Sequence, residues 1–198
     1  MVTADAGVTF SETMSGGFAL GETEPARGER LGRDAGTRLV LRAFLSIPSV
    51  QAFVADAEHT GTLDGRVTFA PVGTDLHAAS GFFKLFTPTD DPLLKLMQYR
   101  MTFRRGAEMY CLHGAKHVRK GSPLRGWRDT TTMPCRLHGG EDATGAAIGA
   151  GILRLGPVSF ARQLASFRTV NATTAAARAG ALAQFVRFFA RELLESYL

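Results

Sequence analysis

The chain has 198 residues, 45% of them hydrophobic and 21% charged, which is material for a single packed domain and argues against disorder of the whole. Its formal net charge is +5, yet the arginines are spread along the chain, and the densest basic group is only Lys116, His117, Arg119 and Lys120. With no zinc-finger spacing, RNA-binding aromatic motif or helix-turn-helix signal, no nucleic-acid partner is expected.

Two cysteines, Cys111 and Cys135, are too few for a disulfide scaffold. Buried free thiols on matching apolar phases of neighbouring strands are expected, with a single bridge left open. No apolar run reaches membrane-spanning length. The start of the chain lacks a basic and then apolar leader, so integral membrane association is not expected and a cytoplasmic location is. Oligomeric state is not readable.

Taken in order, residues 1–36 read as an irregular N-terminal segment. A strand is conceivable near Val8–Phe10, and 21–36 reads as a polar, Gly-rich surface loop. Residues 37–47 predict the first clear strand, with Leu39, Leu41, Ala43, Leu45 and Ile47 on one face. Pro48 ends it, and Ser49 caps a short helix over 50–55. Strands follow over 63–69 and 77–86. Residues 96–103 alternate most cleanly, with Met97, Tyr99, Met101 and Phe103 opposite Gln98, Arg100 and Thr102. Gly106 sits in a hairpin connection to a return strand over 109–118. There Cys111 and His113 share one face, and Tyr110, Leu112, Lys116 and Val118 share the other.

Residues 127–138 predict a strand through the β-branched run Thr130–Thr132, and 148–155 predict the last one. Pro157 opens a helix over 158–167. A longer amphipathic helix covers 174–197, with Leu182, Phe185, Phe189 and Leu193 toward the sheet and Arg187 and Arg191 toward water. Membrane-surface or partner binding is the alternative for this stripe.

The expected fold is therefore mostly β. An antiparallel seven- to eight-stranded barrel or strongly curved sheet over 37–156 is closed off by C-terminal helices over 157–198, in one domain spanning 1–198. A barrel removes exposed strand edges, and one of about eight strands either fills its interior or holds one small ligand.

That geometry directs the search for chemistry. His113 and His117 share a strand face but lie roughly 13 Å apart at about 3.3 Å per residue, so they cannot ligate one ion, and no metal site is expected. No nucleophile elbow, Walker A loop or dinucleotide fingerprint occurs, so no cofactor is expected. Glu12 lies near Phe10 and could enter a barrel mouth as a general acid or base, against a surface or turn role. His113 is a weak partner for Cys111. Tyr99 and Lys116 are candidate polar groups of an apolar pocket. Met97, Tyr99, Met101, Tyr110, Trp127 and Met133 are its candidate ligand-binding surface. Trp127 to Thr132 could instead form a structural corner held through Asp129.

Several segments together carry a family resemblance. They are Phe10-Ser-Glu-Thr-Met-Ser-Gly16, Gly81-Phe-Phe-Lys-Leu-Phe86 and Leu96-Met-Gln-Tyr99, then Tyr110-Cys-Leu-His-Gly-Ala-Lys116, Trp127-Arg-Asp-Thr-Thr-Thr132, Gln163-Leu-Ala-Ser-Phe-Arg168 and Phe188-Phe189. In these the chain resembles a bacterial domain found beside cholesterol-oxidase-like (GMC-type) flavoprotein modules. The flavoprotein part is absent, and the resemblance carries no catalytic residues across. It implies proximity to sterol, terpenoid or other lipid oxidation. The expected function is binding or cofactor-independent conversion, cyclase- or isomerase-like, of an apolar molecule such as a sterol, terpenoid, lipid or polyketide. The alternative is a non-catalytic partner or accessory module for an oxidoreductase.

Overall fold

The structure is a computed structural model that describes residues 6–197. Its organising element is β1 (Gly7–Leu20), which pairs antiparallel with β2 (Arg38–Ile47) from Val8↔Ile47 to Gly17↔Arg38. From β2 the sheet runs in chain order through β3 (Thr60–Phe69), β4 (Gly73–Pro88), β5 (Leu94–Arg105), β6 (Glu108–Arg119), β7 (Thr132–Gly139) and β8 (Ala147–Arg154). β8 then returns to the far half of β1, pairing Ser15 with Arg154 and Phe18 with Gly151. Among the described residues these eight strands close an antiparallel barrel, which decides against the open sheet. The predicted hairpin is β5–β6, in register from Leu94↔Arg119 to Arg105↔Glu108, with Gly106 at φ +58 in the turn.

Alternation sets which side chains fill the barrel. Val8, Phe10, Glu12, Met14 and Phe18 point inward from β1, and Met97, Tyr99, Met101 and Phe103 do so from β5. The middle of β1 has no β8 partner. There the Ser166 hydroxyl of α4 (Pro157–Ser166) accepts the Ser11 N–H at 2.8 Å, and β9 (Arg168–Val170) pairs with Gly7–Thr9.

Helices gather at the end of the barrel where β1 begins. α2 (Val50–Ala55), capped by Ser49, contributes Phe53, and the long α5 (Ala175–Tyr197) contributes Phe185 and Phe188. These rings meet Phe10, Phe83 and Phe167 in one aromatic cluster. A bulge in β4 places Phe86 at φ +52, a strained conformation for a bulky residue, and turns its ring edge-on to Phe189 at 5.0 Å.

Four expectations are corrected. The N-terminal segment is not irregular: Gly7–Leu20 is the strand that pairs with both β2 and β8, and Pro25–Asp34 forms α1. The expectation for residues 1–5, and for Leu198, lies outside the described residues. α1 starts with Pro25 and the Glu24 side chain accepting the Arg27 N–H at 2.7 Å. It lies flush on β1 and β8 because Gly28 and Gly32, one turn apart, put backbone against backbone.

Secondly, Trp127 is not in a strand. Gly126–Thr131 is the helix α3, where the Thr130 and Thr131 hydroxyls donate back to the Gly126 and Trp127 carbonyls at 2.7 and 2.5 Å. Thirdly, the buried residues of α5 are Ala181, Phe185, Phe188, Ser196 and Tyr197, while Leu182 is 39% exposed. The stripe is turned one position from the expected one because Phe188, not Leu182, meets Phe53 and His59. Phe189 and Leu193 pack partly buried at its edge, and Arg187 and Arg191 are exposed as expected.

Fourthly, the cysteines are free and buried, but on opposite faces. Register puts Cys135 beside Gly114, inward, and Cys111 beside His138, outward. No helix among the described residues is long and apolar enough to cross a membrane.

Candidate functional site

Three polar side chains converge in the apolar interior. Glu12 arrives from β1, Tyr99 from β5 and Lys116 from β6, each at least 96% buried. Lys116 stands opposite Met97, and Tyr99 opposite Gly114, so β5 and β6 deliver both groups to the same face. Gly114 leaves the room: a Cβ there would press on Cys135 at 2.8 Å and the Pro134 carbonyl oxygen at 2.9 Å.

Glu12 is the acceptor of the group. Lys116 Nζ donates to its Oε1 at 2.5 Å, and the Tyr99 hydroxyl donates to its Oε2 at 2.8 Å. Lys116 Nζ also donates to the Tyr99 oxygen at 3.2 Å and lies 4.8 Å from the centre of its ring. No buried side-chain nitrogen or oxygen among the described residues lacks a partner. Burial, and then the Glu12 carboxylate, push the Tyr99 phenol well above its ordinary range, so it stays protonated at neutral pH.

Around this group the wall is apolar. Met97, Met101 and Met133 are buried, and Phe83 lies 6.5 Å from the Tyr99 ring. Tyr110 stands farther along the same face, stacked on Phe103 at 5.7 Å, with its hydroxyl donating to Glu108 outside.

The remaining two candidates lie elsewhere. His113 occupies the opposite face of β6, in register with Arg100 and Arg136. Burial, then His138 and the two arginines, push its pKa down, so it is a neutral imidazole outside the barrel. Trp127 is 47% exposed on α3 and packs edge-on against Phe160 at 5.1 Å. The corner reading fits this segment: Asp129 accepts the Tyr197 hydroxyl at 3.1 Å and ties α3 to α5.

Sequence reading missed two surface hollows. One, about 530 Å³, lies between α1 and the β1–β2 pair and includes Arg33, Arg38 and Arg154. Its Glu29 is already engaged by Arg154. The other, about 320 Å³, lies between α2 and α5 and includes Val54, His59, Arg187 and Phe188. No run of residues encodes either one, since each joins segments distant in the chain. Among the described residues no group of three or more His, Cys, Asp or Glu side chains is arranged to hold a metal. Compared with protein-family models, curated proteins and solved structures, the chain gave no match.

Proposed function

We propose that the barrel binds an apolar small molecule, of sterol, terpenoid, lipid or polyketide type, and converts it without a cofactor by proton transfer at Glu12, Tyr99 and Lys116. An eight-stranded barrel lined with buried aromatic side chains is consistent with an apolar ligand. The observation that carries the reading is the ion pair and phenol sealed among those side chains. A buried pair replaced by packed apolar residues generally costs nothing in stability or gains some, so stability gives little reason to hold one here. The methionines around it adapt their shape readily and are where room for a ligand is most cheaply made.

The chemistry follows from donor and acceptor roles. A ligand carbonyl entering the group takes hydrogen bonds from the Tyr99 hydroxyl and Lys116 Nζ, two donors already 3.2 Å apart. Glu12, released from them, is the base for a carbon-bound proton next to that carbonyl. Returning the proton to another carbon gives an isomer, and attack of the enolate carbon on a second carbonyl of the same molecule, whose oxygen then takes the proton back from Glu12, gives a ring.

The test is incubation with a lipid extract, followed by mass spectrometry of what the purified protein retains and releases. An apolar compound leaving as an isomer of equal mass is expected, and Tyr99→Phe should retain it unconverted. Retention of no apolar compound overturns the proposal.

One observation favours a second reading, an accessory module for an oxidoreductase. α5 carries an outward apolar row of Leu182, Val186 and Leu194, the last two 55% and 54% exposed. Under that reading Tyr99→Phe changes nothing, and Val186→Ser with Leu194→Ser abolishes the effect on the enzyme.

A further inference from the structure

The hollow between α2 and α5 stands directly above the aromatic cluster that closes the barrel. Phe188 forms part of its wall and is only 7% exposed. Beneath it the rings continue inward: Phe188 to Phe53 at 5.5 Å, Phe53 to Phe83 at 6.2 Å and Phe83 to Tyr99 at 6.5 Å. Three ring-to-ring contacts therefore fill the space between the hollow and the phenol that donates to Glu12, and a chain entering from the hollow takes their place. His59, at φ +49, holds the other side of Phe188 at 4.6 Å, anchored by its Nδ1 at 2.9 Å from the Leu85 carbonyl oxygen.

The charges around this opening nearly cancel. Lys95 pairs with Glu192 and Glu195, Arg191 pairs with Glu195, and Lys84 pairs with Glu58. Arg187 enters no ion pair or hydrogen bond among the described residues, and it is the uncompensated cation in the hollow's wall. Inside the barrel, by contrast, Glu12 neutralises Lys116. An acid group is therefore drawn to the rim and not to the interior, whereas an apolar chain is drawn inward.

We infer that this hollow is the mouth of the barrel and that its ligand is an elongated apolar molecule ending in a carboxylate, held at the rim by Arg187 while the chain passes Phe188 toward Tyr99. This rests on the barrel-binding reading above and narrows its substrate class. A charge-assisted hydrogen bond to the guanidinium gives the acid its advantage over a neutral analogue.

The test compares oleic acid, methyl oleate and oleyl alcohol by calorimetric titration of the full chain. Two variants accompany it. Arg187→Ser removes the rim cation, and Arg30→Ser removes the same charge from α1, outside the mouth. Oleate is expected to bind about tenfold more tightly than the ester or alcohol, a difference that Arg187→Ser abolishes and Arg30→Ser preserves. Equal affinity for acid and ester, or an acid preference that survives Arg187→Ser, overturns the mouth while leaving the barrel-binding reading in place. Failure of all three probes to bind also overturns the mouth, whereas the barrel-binding reading stands or falls separately on retention from the lipid extract.

Discussion

Glu12, Tyr99 and Lys116 make opposite demands on stability and on chemistry. Removing one member of a buried pair leaves the other uncompensated, so Lys116→Met alone should lower unfolding free energy by about 3–5 kcal/mol. Glu12→Leu combined with Lys116→Met removes both charges and should recover most of that loss while ending any conversion of ligand. Urea unfolding of the single and double variants checks this, and a double variant no more stable than the single one would contradict it. Proton linkage gives a second expectation. Burial pushes the Cys135 thiol from 9.0 up to about 12, and Tyr99 also rises. Both groups stay protonated in the folded chain at pH values where the unfolded chain ionises. Their contribution is full below about pH 9 and is lost as pH rises toward the folded values. Melting temperature should therefore fall steadily above pH 9, less steeply in Cys135→Ala and Tyr99→Phe.

At the scale of elements, α5 and α1 separate what burial and what contact geometry each decide. Phe185 is 3% exposed against the cluster, so Phe185→Asp loses about 1.5–3 kcal/mol of burial and adds the cost of a buried charge. Leu182→Asp, on the outward row, should cost less than about 1 kcal/mol. Chemical denaturation compares them, and equal small losses would make α5 peripheral. For α1, a methyl group at Gly28 would collide with the Ala150 carbonyl oxygen, whereas one at Gly145 meets nothing. Gly28→Ala should cost about 1–3 kcal/mol by thermal unfolding, and Gly145→Ala almost nothing. These two helices also mark the limit of periodicity as a signal. α5 was legible because apolar residues recur every three or four positions, although its phase was decided by which rings meet Phe53. α1 was not, since Gly28 and Gly32 are chosen for having no side chain, and a glycine in sequence reads as a turn.

For the whole molecule, the barrel was legible because β2, β3, β5 and β6 alternate cleanly and are joined by short connections. Its closure was not. The pairing of Ser15 with Arg154 depends on a register that local sequence does not express. The site shares that division. Glu12 between Phe10 and Met14, and Lys116 between Gly114 and Val118, are visible as polar interruptions of apolar faces. Their meeting across 104 positions of sequence required the closed cylinder. That separation has a consequence for synthesis. A ribosome adding roughly 5–20 residues per second exposes the Glu12 carboxylate some 5–20 s before Lys116 has been made. Through that interval β1 can pair with β2 but cannot give up its water, because drying an unpaired carboxylate is too costly. β1 is thereby kept wet and unfinished until β6 supplies its counter-charge, and the nascent barrel is held open along that strand.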